Sequence, residues 1–249
     1  MLSKDLDKFY TNDDVAELCA TIYFKHVNKS EEIVEPSAGA GAFAPYVSIM
    51  LDIMPEASNI QQADFLQFDS GAHKYYLGNP PFGKNSSLAK KFFNHAAKGK
   101  GFIGFILPRT FRKVSIQNAI DLNFWLVDDI LLPENSFTLE GKQYSVPCIF
   151  QVWEHRSTKR EKVTLPTTHR DFSFVTKTQA DFSIRRVGGN AGKVNPHNDF
   201  SESSNYFIKG GLKDDFIDLE KDFIEAAKNT AGNPSLAKSE LIYLYTNRK

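Results

Sequence analysis

The chain has 249 residues, 30 Lys and Arg against 30 Asp and Glu, with 41% hydrophobic and 13% aromatic residues. That content supports a sizeable core in one large domain, or a core with a small appendage, and excludes a disordered or low-complexity chain. A net charge of zero excludes a uniformly polybasic protein, but the distribution is uneven. Residues 1–82 hold 5 basic and 12 acidic residues, residues 83–120 hold 8 basic and no acidic ones, and residues 156–193 hold 9 and 3. A long stretch without one carboxylate is what a phosphate-facing rim needs. Met1-Leu2-Ser3-Lys4-Asp5 carries no apolar run, and no segment approaches transmembrane length, so a cytoplasmic protein without a membrane partner is expected. Cys19 and Cys148 lie far apart in apolar surroundings and are expected as buried free thiols. The six histidines show no metal-ligand spacing, so no metal is expected.

In chain order, Thr11 or Asn12 is positioned to cap a helix with Asp13 and Asp14 in its first turn. That helix is predicted to run through Val15, Leu18, Ile22 and Tyr23 to about Val27. Ile33-Val34-Glu35-Pro36-Ser37-Ala38-Gly39-Ala40-Gly41 reads as a buried strand followed by a glycine turn, and residues 43–48 as a short helix with Pro45 in its first turn. Gly39 and Gly41 allow positive φ and close approach of a ligand to the backbone. With Ala44 they also satisfy a loose dinucleotide fingerprint, which keeps a nicotinamide reading open. Ile49 to Pro55 reads as a second strand ending in Asp52-Ile53, and an acid there reaches a ligand cradled on the first turn. Asp64 and Phe65 follow, as ligand contacts or as a turn cap and a core residue. The apolar run at Tyr75 then stops in Asn79-Pro80-Pro81-Phe82. Two prolines stiffen this tip and keep it out of a sheet ladder. An amide, free carbonyls and an aromatic face within four residues suit a planar group bearing an NH2.

Beyond the tip, Ser86 or Ser87 caps a predicted helix through Leu88, Phe92, Phe93 and Ala96 to near Gly99. A strand at 101–107 is closed by Pro108-Arg109-Thr110-Phe111, and a helix is predicted near 114–122. Strands at 125–132 and 146–153, separated by turn residues, are expected to pair antiparallel. Glu134, Glu140 and Lys142 in that connection mimic a metal-nuclease motif, but too tightly spaced. The domain division is expected after residue 156, with 157–162 as a charged link. Short strands are predicted at 171–175, 181–187 and 205–208, and helices at 214–227 and 236–245. The loop 188–193 after Arg185-Arg186 reads as a tight β turn or as a phosphate contact.

The ordered pair Glu35-Pro36-Ser37-Ala38-Gly39-x-Gly41-Ala42-Phe43 and Asn79-Pro80-Pro81-Phe82 resembles the S-adenosylmethionine-dependent N6-adenine methyltransferases of bacterial and phage DNA. The resemblance covers roughly the first 155 residues and implies an α/β fold: a Rossmann-like, seven-stranded class I methyltransferase sheet finished by an antiparallel hairpin, here with a small α+β appendage. It implies S-adenosylmethionine as cofactor, held by Tyr10, Thr11, Glu35, Pro36, Ser37, Gly39, Gly41, Asp52, Ile53, Asp64, Phe65 and Asn79, with Asp52 accepting from ribose hydroxyls. It places catalysis on Asn79, Pro80, Pro81 and Phe82, the amine held by Asn79 and the Pro80 carbonyl and the base stacked on Phe82. Phe137, or alternatively Tyr144, corresponds to an aromatic over the extruded base. Lys84, Arg109, Arg112 and Lys113 are the candidate phosphate contacts, and 157–249 a candidate nucleic-acid recognition region. The implied partner is nucleic acid, DNA before RNA. An RNA adenine methyltransferase shares both motifs, and a protein glutamine N5-methyltransferase shares Asn-Pro-Pro, usually followed by Tyr.

Overall fold

The computed structural model describes residues 9–139, 141–197, 200–230 and 232–248. The extreme N-terminus read for a signal segment and Glu140 of the nuclease-like triplet lie outside them. The chain divides into two compact units, residues 1–111 with 115–162 and residues 112–114 with 163–249. Residues 157–162 thus stay with the first unit, displaced from the expected boundary after 156. Trp125 Nε1 donates to the Thr158 carbonyl at 2.9 Å, and the Arg160 amide to the Leu122 carbonyl at 2.7 Å.

In the first unit the elements are β1 (Tyr10–Thr11), α1 (Asp13–Tyr23), β2 (Ile33–Glu35), β3 (Ile49–Asp52), β4 (Gln61–Gln62), β5 (Tyr75–Gly78), α2 (Ser87–Ala96), β6 (Phe102–Pro108), α3 (Val114–Gln117, whose first residue falls in the second unit), β7 (Phe124–Leu131), β8 (Phe137–Leu139), β9 (Lys142–Tyr144) and β10 (Cys148–His155). Seven strands form one sheet in the order β4-β3-β2-β5-β6-β10-β7. The first five run parallel, and β10 is antiparallel to both β6 and β7, with a bulge between Val152 and Trp153. This is the Rossmann-like seven-stranded α/β sheet, finished by one reversed strand, that the sequence led us to expect. Alternate residues feed two cores, as period-2 geometry requires. Ile33, Leu77, Ile106 and Phe150 meet Val15, Cys19 and Tyr23 of α1 on one face. Val34, Tyr76, Phe105 and Trp153 meet Ala89, Phe93 and Ala96 of α2 on the other. Gly104 lets α1 close onto the sheet, since a Cβ there would lie 2.4 Å from the Tyr23 ring. Cys19 and Cys148 are buried free thiols, and burial raises both thiol pKa values.

Several elements depart from the sequence expectation. α1 ends at Tyr23, and Asn12 begins it without a side-chain cap. Residues 43–48 hold only a 3-10 turn, Ala44–Tyr46, and the chain turns extended at Val47. Ser86 has φ +60° and gives no cap; its Oγ pairs with Thr110 Oγ1 at 2.6 Å. The helix after β6 stops at Gln117. The segment read as plain turns, 133–145, contains β8 and β9, which with β1 make a separate three-stranded antiparallel sheet.

The second unit contains β11 (Phe172–Phe174), β12 (Phe182–Arg185), β13 (Val194–Asn195), β14 (Asn205–Gly210), α4 (Lys213–Asp218), α5 (Glu220–Ala227) and α6 (Lys238–Thr246). Its antiparallel sheet, ordered β11-β14-β12-β13, packs Phe172, Phe182, Ile184 and Ile208 against Phe216, Phe223, Leu241 and Tyr245. The glycine loop is a tight turn: the Gly192 amide donates to the Arg185 carbonyl at 2.7 Å, and a Cβ on Gly192 would strike the α5 backbone at 2.4 Å. No helix among the described residues is long and apolar enough to cross a membrane.

Candidate active site

A cavity of about 600 Å³ opens at the carboxyl ends of β2, β3 and β5, where open parallel sheets collect ligands. Its walls include Tyr10, Pro36, Ser37, Gly39, Asp52, Ile53, Asp64, Phe65, Asn79, Pro80, Pro81, Phe82 and Lys84. A smaller recess of about 50 Å³ is bounded by Tyr10, Thr11, Glu35, Ser37, Gly39 and Asn79. Most of the candidate cofactor and tip residues are therefore gathered around one space.

Backbone geometry explains the gathering. Gly39 and Gly41 have φ of +53° and +91°, so the chain turns sharply after β2. The Gly39 amide donates to Asp52 Oδ2 at 2.8 Å and the Met54 amide to Oδ1 at 2.8 Å. These bonds tie the β3 acid to the β2 turn, and each carboxylate oxygen keeps a further lone pair for a ligand. Asp64 Oδ1 accepts from the Leu66 amide at 2.9 Å, so it caps its turn while bordering the cavity. Phe65 is buried in the core and also lines the cavity.

The tip is anchored on both sides. Ser37 Oγ donates to the Asn79 carbonyl at 3.0 Å. The amides of Leu88 and Ala89, in the first turn of α2, both donate to the Phe82 carbonyl at 3.1 Å. That carbonyl does the capping work expected of Ser86. Gly83, at φ +66°, is obligatory, because a Cβ there would come within 2.7 Å of Leu88 Cβ. Asn85 and Ser86, at φ +53° and +60°, add left-handed backbone directly behind the tip, a form of local strain that accompanies functional sites.

The side chain of Asn79 is the most informative group. Its Nδ2 donates to the Phe9 carbonyl at 3.3 Å and to Thr11 Oγ1 at 3.1 Å. A carbonyl only accepts, so the amide cannot be flipped, and Oδ1 faces the other way. Oδ1 is buried and has no hydrogen-bond partner among the described residues. A fixed, buried acceptor lacking a donor is costly unless a ligand supplies one. Glu35 is comparably placed: 2% exposed, with Oε2 buried and unpartnered among the described residues. Burial first, and Asp52 second, push its carboxyl up to about 8. Tyr10 donates to Glu56, and burial and that bond raise its phenol to about 12.

Four candidates lie elsewhere or are differently engaged. Phe137 is 1% exposed and packs in the core, edge-on to Phe9 at 6.4 Å, so it cannot stack on a base there. The exposed ring of that hairpin is Tyr144, stacked on Phe9 at 5.2 Å. Arg109 is 6% exposed and does not form a phosphate rim. Arg112 and Lys113 belong to the second unit, where Lys113 Nζ is bound to Glu240 Oε1 at 2.9 Å. Only Lys84 of the four cations is both exposed and a wall of the cavity. Gly41 shapes the turn without lining the space. Sequence reasoning did not single out Phe9, Leu88 and Phe92 as walls. The spacing of Leu88 and Phe92 on one helix face was the available signal. The nicotinamide reading fails at Ala44, where the long helix that fingerprint requires is replaced by a three-residue turn.

No family model matches the sequence, and neither does any curated protein. Among solved structures, the chain is similar to a modification subunit assigned to a type I restriction enzyme of Vibrio vulnificus YJ016, at 16% identity and TM-score 0.47 over 59% of this chain and 44% of that one. It is also similar to a protein of Pyrococcus horikoshii assigned as an RNA methyltransferase, at 14% identity and TM-score 0.49, covering 60% and 87%. The 23S rRNA methyltransferase ErmE matches at 14% identity and TM-score 0.42, covering 60% and 71%. The chain thus spans less than half the length of the first of these.

Proposed function

We propose that the protein is an S-adenosylmethionine-dependent methyltransferase acting on the N6 amine of adenine, with DNA as substrate. The observation that carries this reading is Asn79, which lines a large cavity and whose oriented side-chain oxygen is buried without a hydrogen-bond partner among the described residues. The residues present suit the cofactor. The cavity falls in the roughly 300–1,000 Å³ range of small-molecule sites. Asp52 retains acceptor capacity beside an open glycine turn, and Glu35 offers a buried carboxyl that a cationic ligand would ionise. When bound, S-adenosylmethionine supplies a methyl group activated by its sulfonium.

The chain's own residues deal with the acceptor. The adenine amine is a weak nucleophile because its lone pair is delocalised into the ring. Asn79 Oδ1 accepts one N–H and the Pro80 carbonyl is assigned the other, which draws the nitrogen toward tetrahedral geometry. Positive charge then grows against dipoles already in place. Phe82 stacks on the ring and fixes the direction of attack. No strong base is needed at the tip. A base within a duplex must be flipped out to reach it, at a cost of about a few kcal/mol. Lys84, exposed and lining the cavity, is assigned the flanking phosphate.

The test is methyl transfer from radiolabelled cofactor to duplex DNA, single-stranded DNA, ribosomal RNA and protein, followed by nucleoside analysis. N6-methyladenine in DNA is the expected product. The same product only in RNA would transfer the substrate assignment, and labelled protein would overturn the adenine assignment. For the cofactor, Gly41→Val should lower unfolding free energy by about 1–3 kcal/mol, since a β-branched residue cannot rest at φ +91°. It should also remove calorimetric binding of S-adenosylmethionine. A folded variant that binds normally would separate the glycine turn from cofactor binding.

A further inference from the structure

We propose that Thr11 is a positioning residue for Asn79, and that the β8–β9 hairpin, acting through β1, sets the direction of the Asn79 amide. The inference rests on the proposed role of Asn79 as acceptor for the target amine. An amide side chain has two orientations differing by half a turn, and only one presents oxygen to an N–H donor. Nothing in the Pro80-Pro81 tip selects between them. The selection comes from β1 and its neighbour: the Phe9 carbonyl at 3.3 Å demands the NH2 group, and Thr11 Oγ1 at 3.1 Å accepts the shorter of the two bonds.

β1 is only two residues long and belongs to no part of the seven-stranded sheet. It is held by β8, in the register Tyr10↔Thr138 and Thr11↔Phe137. Asn12 locks that register. Its Nδ2 donates to the Asn135 carbonyl at 2.8 Å and to Gln143 Oε1 at 3.2 Å, and its Oδ1 accepts from Thr138 Oγ1 at 2.8 Å. The Phe9 ring is braced by Phe137 and Tyr144. Phe137 therefore serves the site from behind, by steadying the strand that orients Asn79. Because Thr11 Oγ1 accepts from Asn79, its own proton stays available toward the smaller recess that Thr11 borders. A ligand acceptor in that recess would polarise the hydroxyl and strengthen the Thr11–Asn79 bond, coupling the recess to the tip.

Thr11→Val keeps shape and strand preference but removes the acceptor, whereas Thr11→Ser keeps the acceptor. Thr11→Val is expected to lower kcat about tenfold, the equivalent of one lost neutral hydrogen bond, with KM for nucleic acid within threefold. Thr11→Ser should stay within about twofold of the unmodified protein. An independent reading uses protein labelled with 15N-asparagine, the Asn79 side-chain signal being assigned by its loss in Asn79→Ala. Its NH2 protons should exchange about tenfold faster in Thr11→Val and normally in Thr11→Ser. Unchanged kcat, a loss confined to KM, or unchanged amide exchange in Thr11→Val would overturn the proposal. The exchange measurement reads the clamp directly, so it decides the matter even if the unmodified protein proves to methylate something other than adenine.

Discussion

Asn79→Ala is expected to lower kcat for methyl transfer by about 10²- to 10³-fold, the usual consequence of removing one preorganised dipole from a developing charge. Cofactor affinity should change by no more than a few fold, because the cradle at Gly39 and Asp52 does not depend on the amide. Stability should hardly move. The substitution removes the bonds to Phe9 and Thr11, which lowers stability, and removes a buried oxygen without a partner, which raises it. Each effect is on the order of 1 kcal/mol, and they oppose. Steady-state kinetics with a parallel urea melt would show activity lost and folding kept. Near-normal turnover would mean that the tip is purely structural, and a large loss of stability would mean that Oδ1 has a structural partner.

The second large effect concerns pH and Glu35. Its carboxyl titrates near 8 in the folded chain, mainly through burial and secondarily through Asp52, against 4.5 ordinarily. Below about pH 4.5 both folded and unfolded chains carry the proton, and this group leaves stability unaffected. Between 4.5 and 8 the unfolded chain loses the proton while the folded chain keeps it, so stability falls as pH rises. The slope from this one group is about 1.4 kcal/mol per pH unit, flattening above 8 once both states are ionised. Glu35→Gln has no such titration and keeps a neutral group of the same shape. The expected result is that the Gln variant's advantage over the unmodified protein, measured in urea at pH 5, 6, 7 and 8, grows steadily with pH. A pH-independent difference would show that the carboxyl is ionised throughout, held by a charge or donor not seen here. Because a cationic ligand favours ionised Glu35, S-adenosylmethionine should bind the unmodified protein with proton release at pH 7, and the Gln variant without it.

The parts of the site that were readable from sequence are those written in consecutive residues. A strand followed by Gly39 and Gly41, an acid closing the next strand, and Asn79-Pro80-Pro81-Phe82 each carry their own backbone constraint, and the sheet topology then brings them together. What was not readable depends on distant or subtle partners. The three-residue strands β8 and β9 sit among turn formers, and their pairing with β1 leaves no periodic trace. Phe137 read as a hairpin aromatic because burial under Phe9 cannot be seen from its neighbours. The basic run misled for a related reason. Lys84, Arg109 and Lys113 are close in sequence, yet one borders the cavity, one is buried and one is paired in the other unit. The helix expected at 214–227 breaks at Leu219 into α4 and α5 with neither Gly nor Pro at the joint.

The pairing of β1 has a consequence for how the protein comes to be active. Asn12 and Thr138, which lock the strand to the hairpin, are 126 positions apart. Closing so long a loop is slow compared with forming α1 or the β5–α2 turn, whose contacts are local. During synthesis the hairpin that holds the residues orienting Asn79 leaves the ribosome well over a hundred residues after them. The glycine cradle and the tip can thus be assembled while the amide is still free to flip. On refolding from urea, native-like sheet structure is expected to return before methyl-transfer activity, with the delay set by the docking of residues 9–12 onto residues 135–143.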